Sequence, residues 1–340
     1  MPHHVLVIGV GSIGERHLRC FQSTGRATVS LCEPNETLRK TVADRYQAPA
    51  FADLGAALST HPSLAVVCTP APLHIPLARQ CVAAGMDVLI EKPLSTSLDG
   101  IAELGQLAAE RQAVLGVAYV YRCFPVFKAF REALASGRFG RPLQFTTVSG
   151  QHFPTYRPAY REIYYARHES GGGAIQDALT HILNAGEWLL GPIERLVADA
   201  GHQALPDVAV EDTVHLLARH GAGANGVLAS YSLNQHQAPN EMTLTAVCER
   251  GTVRCELPGH RLSWMTAPGG TWEQEVFNTP ERDTPFIAQA NAFLDAVENR
   301  TEPPCSLAGG LQTLRVNLAA LNSVRQGAWQ TTWPVSEEPR

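Results

Sequence analysis

Five short apolar runs in the first third of the chain constrain its fold more than any other feature. They are HVLVIG (4–9), ATVSLC (27–32), LAVVC (64–68), DVLI (87–90) and AVLGV (113–117). Each is nearly continuously apolar and too short for a helix, and none shows the in–out alternation of a sheet with one wet face. Runs of this kind are strands covered on both faces. The segments between them carry helical spacing, as over 35–47 and over 74–84, where Leu77, Cys81 and Ala84 recur and Gly85 stands where a helix ends. Strand and helix alternating in this way give a parallel, doubly wound α/β sheet.

After residue 120 the pattern changes. Helices are expected over 124–136 and 174–189, with a strand at 143–149 between them. From 193 onward come strand-like runs at 193–200, 211–219, 225–233, 241–248 and 251–256, broken by Gly, Asn or Pro, with Glu249-Arg250-Gly251 as a hairpin turn. Helices over 284–299 and 306–326 close the chain. A chain of 340 residues exceeds what one core of roughly 250–300 residues sustains, so two domains are expected. The first spans 1–120 and the second, with a mostly antiparallel sheet, 121–340, its terminal helix able to pack back on the first.

Composition narrows the functional classes. A chain 45% hydrophobic and 17% charged is too apolar for disorder, and a net charge of −5 without a basic run argues against nucleic acid or an anionic membrane as partner. No apolar stretch approaches the ~20 residues that span a bilayer. Met1-Pro2-His3-His4 runs straight into a strand without the features of a signal peptide, so a cytoplasmic protein is expected. Eight cysteines without a C-x-x-C pair read as scattered free thiols.

Gly9-Val10-Gly11-Ser12-Ile13-Gly14 fits G-x-G-x-x-G, follows the first apolar run and opens a helix. Glu33 stands close to the ~20-residue offset at which a ribose-binding acid is expected. The first glycine permits the tight turn, the second lets a pyrophosphate approach the backbone, and the third lets helix and strand pack closely. Gly9, Gly11, Ser12, Ile13 and Gly14 are therefore candidate dinucleotide-binding residues. Glu33 would bind the ribose hydroxyls and repel a 2′-phosphate, which favours NAD over NADP, although Arg39 and Lys40 on the next helix would soften that preference. Thr69, Pro70 and Glu91-Lys92-Pro93 end two further strands, and ligands of open parallel sheets bind beyond the carboxyl ends of strands. His74, at the start of the next helix, reads equally well as a cofactor neighbour or as a cap or core histidine.

AVVCTPAPLH (65–74), AAGMDVLIEKPLS (83–95), VYRCFP (120–125) and GGGAIQDALTHILNAGEWLLG (171–191) resemble the Gfo/Idh/MocA family (glucose–fructose oxidoreductase, inositol dehydrogenase, rhizopine catabolism). The match runs over most of the chain, and its specificity lies in E-K-P and G-G-G-x₃-D-x₃-H in that order. The resemblance implies a Rossmann domain followed by an α/β domain whose large open antiparallel sheet serves oligomer contacts. It places Glu91, Lys92 and Pro93 on the family's E-K-P motif, with a catalytic lysine and a cis Lys-Pro peptide.

Asp177 and His181 lie four apart, on one face of the expected helix. His181 suits a general base for a hydroxyl proton, since an imidazole titrates near neutral pH. Lys92 suits a donor to the same oxygen, and Asp177 would bind a neighbouring hydroxyl or orient the other two. A buried Asp–His pair within a helix is the plainer alternative. No third metal ligand is apparent. Many relatives carry an acid where Asn184 stands, which leaves any acidic role there in doubt. The segment 149–170 is rich in Tyr, Arg and His and offers His152, Arg157 and Tyr164 as contacts for a polyol. Arg122, in a motif interrupted by Cys123, is a candidate near nicotinamide or substrate.

The expected function is an NAD(P)-dependent dehydrogenase or reductase, with NAD the favoured cofactor, acting on a secondary alcohol or ketone of a sugar, inositol or sugar derivative, working as a dimer or tetramer through the second sheet. The alternatives are a glycosidase that retains NAD and a nucleotide-binding sensor without activity.

Overall fold

A computed structural model describes residues 2–162, 164–221 and 226–332. In chain order the first elements are β1 (His3–Ile8), α1 (Ser12–Ser23), β2 (Ala27–Cys32), α2 (Glu36–Tyr46), β3 (Ala50–Phe51), α3 (Leu54–Leu58), β4 (Leu64–Val67), α4 (His74–Ala83), β5 (Asp87–Ile90), α5 (Ile101–Arg111) and β6 (Leu115–Val117). Then come α6 (Pro125–Ala135), β7 (Pro142–Gly150), α7 (Phe153–Tyr156), a π-helical turn (Ile175–Leu179) that runs into α8 (Thr180–Leu190), β8 (Ile193–Gly201), β9 (Thr213–His220), β10 (Val227–Asn234), β11 (Glu241–Cys248), β12 (Gly251–Glu256), β13 (Arg261–Met265) and β14 (Glu273–Val276). The chain closes with α9 (Thr284–Asn299), α10 (Leu307–Gln326) and β15 (Gln330–Thr331).

These elements form two compact units, Met1–Cys123 with Pro280–Leu311, and Phe124–Thr279 with Gln312–Arg340. A single cut near residue 120 therefore misplaces one segment: Pro280–Leu311, with α9, returns to the first unit. The reason lies in α9 itself. Phe293, Leu294 and Val297 are buried in one cluster with Leu18 and Phe21 of α1 and with β1 and β4. Burying side chains of this kind is worth about 1.5–3 kcal/mol each.

The sheet of the first unit has the order β3-β2-β1-β4-β5-β6, parallel throughout. Every residue of β4 and β5 is buried, as continuous apolar runs require. Because all strands point one way, the turns after β1, β2, β4 and β5 share one edge, and the chain reverses its winding direction between β1 and β4.

The second unit carries a nine-stranded sheet in the order β14-β13-β12-β11-β7-β10-β9-β8-β15. Its pairs are antiparallel except β7 with β10. Burial alternates along β9 and β10, so one face is packed and the other open. Leu217 and Leu228 are 54% and 51% exposed on the open side. The expected runs at 193–200, 211–219, 241–248 and 251–256 correspond to β8, β9, β11 and β12, and 225–233 to β10, with residue 225 outside the described residues. The two-residue β3 and β15 are too short to leave a pattern, and the edge strand β14 is polar. All eight cysteines are buried and free. No helix among the described residues is long and apolar enough to cross a membrane.

Candidate active site

In the first unit the glycine-rich turn follows β1 directly. A Cβ on Gly14 would stand 1.9 Å from the Gly9 carbonyl oxygen, so α1 can lie against β1 only with glycine there. A Cβ on Gly11 would meet nothing within 4 Å, which leaves open room at the helix N-terminus. No side chain caps α1. Gly11 and Ser12 are exposed and Ile13 half-buried, so the first N–H groups of α1 stand ready for an anion.

Glu33, just beyond β2, is fixed in advance: its carboxylate accepts hydrogen bonds from the N–H groups of Val10 (3.1 Å) and Asn35 (3.0 Å). Arg39 donates to the Glu33 carbonyl oxygen at 2.7 Å, and Lys40 pairs with Glu36 at 2.6 Å. Beyond β4, the Thr69 hydroxyl oxygen is buried without a partner among the described residues, an orphan that a bound polar group would satisfy. Pro70 beside it is exposed. An open cradle, an uncapped helix end, a preset acid and an orphaned hydroxyl along one edge fit a dinucleotide.

Two side chains of this edge are engaged within the protein itself. His74 is buried, with Nδ1 3.0 Å from the Pro93 carbonyl oxygen and Nε2 2.7 Å from that of Thr69. Burial pushes its pKa down, against the opposing pull of the two carbonyl oxygens; the ring sits between two strand-end turns, and the core reading of this histidine fits best. Glu91 is also buried, and neither carboxylate oxygen faces a ligand. Oε1 lies 2.6 Å from Nε2 of His17, and Oε2 accepts the Lys92 N–H at 2.8 Å. Burial pushes this carboxyl up, but the hydrogen bond from His17 and the charge of Lys92 outweigh it and hold Glu91 below its ordinary range.

The Lys92–Pro93 peptide is cis. From Met86 to Ser95, Lys92 alone is not buried. The apolar strand thus ends in a buried acid whose carboxylate holds the backbone and a base that is only half-buried. Arg122 is half-buried and donates to the Pro304 carbonyl oxygen at 2.7 Å.

In the second unit the expected helix over 174–189 begins as the π turn Ile175–Leu179 and becomes α-helical at Thr180. Such turns are frequent at functional sites. Gly173 makes the entry possible: its φ is +86°, and a Cβ there would stand 2.5 Å from the Glu211 carboxylate. That carboxylate accepts the Ile175 N–H at 2.9 Å and lies 2.5 Å from Nε2 of His168. The hydrogen bond to Glu211 raises the His168 pKa above its ordinary value.

From Gly171 to Glu187 only Asp177, Ala178 and His181 are not buried. Tyr164 donates to Asp177 Oδ1 at 2.5 Å. His152 points back at Thr155 (2.8 Å) and Arg157 is exposed, so of the three loop candidates only Tyr164 reaches the Asp177 side chain. The loop has a small core of its own, Phe153, Tyr160 and Tyr165 against Leu205 and Val210. Asn184 is buried and donates to Thr313 Oγ1 at 2.9 Å, one rung of a polar ladder between α8 and α10 that also includes Thr180–Asn317 and Glu187–Thr313.

Sequence reasoning missed His17 and Glu211. A histidine among Gly14, Leu18 and Phe21 on the buried face of α1 is a readable signal. An acid before a strand, as at Glu211, is not. Among the described residues no group of three His, Cys, Asp or Glu could hold a metal ion.

Comparison with known proteins adds independent findings. Residues 3–119 match the oxidoreductase family with an NAD-binding Rossmann fold, and residues 127–254 match the GFO/IDH/MocA C-terminal domain. A D-apiose dehydrogenase of Paraburkholderia graminis is 25% identical over 336 residues, covering 94% of this chain and 87% of that protein. A myo-inositol dehydrogenase of Streptomyces leeuwenhoekii is 26% identical over 334 residues, covering 95% and 98%. Other alignments are local: an uncharacterized oxidoreductase of Synechocystis sp. is 30% identical over 133 residues, and this chain spans 36% of its length. Among solved structures, a levoglucosan dehydrogenase in complex with NADH superposes with a TM-score of 0.89 at 19% identity, over 98% of this chain and 100% of that one, a likeness of fold.

Proposed function

The chain belongs to the Gfo/Idh/MocA family of NAD-binding oxidoreductases, and on that premise we propose that it interconverts a secondary alcohol and the matching ketone of a sugar, inositol or sugar derivative. What carries the reading is where burial is broken: at Lys92 alone between Met86 and Ser95, and at Asp177, Ala178 and His181 alone between Gly171 and Glu187. Side chains that break burial in this way, and whose chemistry suits a hydroxyl group, are placed for a ligand rather than for packing. The names of the relatives, which include dehydrogenases of D-apiose and myo-inositol, support the substrate class.

Bound NAD would accept or supply the hydride. In oxidation His181 takes the hydroxyl proton, and in reduction it returns it. The Lys92 ammonium donates a hydrogen bond to the same oxygen and stabilises negative charge as it develops. Asp177, held by Tyr164, accepts from a neighbouring hydroxyl and sets the substrate's register. Glu33, its carboxylate preset at the ribose end, favours NAD over NADP.

The test is a screen of inositols, aldoses and uronic acids with NAD and with NADP, followed at the nicotinamide absorbance. Lys92→Ala should lower kcat by about 10²–10³-fold and His181→Ala by about 10²–10⁴-fold. Unchanged turnover in either variant would remove that residue from the reaction. Cleavage of a glycoside without accumulation of NADH would point to the redox-neutral alternative.

The open sheet face bears on assembly. Leu143, Val148, Leu217, Leu228 and Trp329 are exposed on the second unit, with Arg195 lying over the Trp329 ring at 5.2 Å. An apolar area of this kind is a liability for a monomer, and we infer that a second copy of the chain covers it. Light scattering that finds a stable monomer would refute this.

A further inference from the structure

The buried contact between His17 and Glu91 joins two parts of the first unit that the reaction requires to be in register. His17 rides on α1, the helix whose uncapped N-terminus follows the glycine-rich turn. Glu91 stands at the end of β5, and its N–H continues the sheet ladder to the Val67 carbonyl oxygen at 2.9 Å. One carboxylate oxygen meets the ring of His17 at 2.6 Å and the other meets the Lys92 N–H at 2.8 Å. The His17 side chain is 1% exposed and that of Glu91 6%. The imidazole is itself held edge-on against Phe286 of α9, with ring centroids 5.8 Å apart.

A carboxylate so buried has few rotamers left, and its orientation is set by whichever donors it meets. Without the His17 donor, one oxygen would be left unpaired out of water. It would then turn toward another partner or admit solvent, and the hydrogen bond to the Lys92 N–H would turn with it. On the far side the Pro93 carbonyl oxygen is held by His74, so the His17–Glu91 side is the adjustable one.

We propose that His17 is a positioning residue, which through Glu91 sets the backbone at Lys92 relative to the cofactor-binding helix. The role deepens the proposed function and rests on the assignment of Lys92 as the lysine that binds the substrate oxygen. The fixing of Lys92 itself can be read without any substrate.

The chain has three lysines, Lys40, Lys92 and Lys128, of which the first and last are exposed. Reductive methylation with ¹³C-formaldehyde gives each a methyl NMR signal, and Lys92→Arg identifies that of Lys92. In the wild type the half-buried Lys92 should resonate apart from the exposed pair. His17→Asn keeps a polar side chain too short to reach Glu91, and should move the Lys92 signal at least halfway toward the pair while Lys40 and Lys128 stay in place. His17→Gln, whose amide nitrogen reaches where Nε2 stands, should restore the wild-type position. The affinity for NAD, from calorimetric titration, should stay within threefold in both variants.

A Lys92 signal unmoved in His17→Asn overturns the proposal, and so does one moved equally by His17→Gln. If all three signals shift together, the substitution has only loosened the fold and the proposal fails. Should the NMR outcome hold while Lys92→Ala turns over substrate normally, the positioning stands and the catalytic reading falls.

Discussion

The turn after β5 and the π turn before α8 both present a charged side chain from buried surroundings, but they hold it by different means. At β5 the support lies within the sheet: the ladder continues through Glu91, and the partners of its carboxylate, His17 and the Lys92 N–H, are themselves buried or part of the backbone. At the π turn the Glu211 carboxylate reaches across to the Ile175 N–H and is tied on its other side to His168, a side chain 45% exposed. In the first arrangement both side chains are nearly closed off from water. The second can loosen from its wet end. The difference suits a residue acting on one fixed atom in the first case, and residues that must accommodate a substrate's hydroxyl pattern in the second.

The largest effect is expected at Gly14. Gly14→Val would force a side chain onto the Gly9 carbonyl at a position where a Cβ already stands 1.9 Å away. Backbone cannot yield as a side-chain tip can, so NAD binding in calorimetric titration should fall at least ~100-fold, with a drop in melting temperature as expected for overpacking. Gly173→Ala is the matching change in the second unit. There the clash is with the Glu211 carboxylate, and φ is +86°. The cost should be about 1–3 kcal/mol in urea unfolding, with NAD affinity within twofold of wild type. A large loss of NAD binding in that variant would show that the two supports are not independent.

The smallest effect is the dependence on pH at His168. Its pKa is raised by the hydrogen bond to Glu211, so the stabilising contribution is complete below the ordinary value of 6.5 and is lost as pH rises through the raised one. Exposure and screening keep it under about 1 kcal/mol. Thermal melts across neutral to mildly alkaline pH should show a small decline in the wild type that His168→Gln lacks.

Legibility in the sequence followed the same division. β1, β2, β4 and β5 were readable because strands buried on both faces must be apolar throughout, and G-x-G-x-x-G was readable because sterics at Gly14 permit nothing else. E-K-P and the Asp177–His181 spacing marked the residues that break burial, Lys92, Asp177 and His181. Glu91 and His74 were legible as residues but not as roles: an acid and a histidine at a strand edge are written the same way whether they face a ligand or a backbone group.

Periodicity and local sterics are enough to specify the parallel sheet, the dinucleotide turn and the residue types available for chemistry. Only packing of the whole chain fixes that α9 returns to the first unit, that His17 meets Glu91 across 74 positions, and that Glu211 holds the π turn 36 positions before it. Contacts at such separations depend on which buried groups the packed chain leaves facing one another, and no local pattern records that.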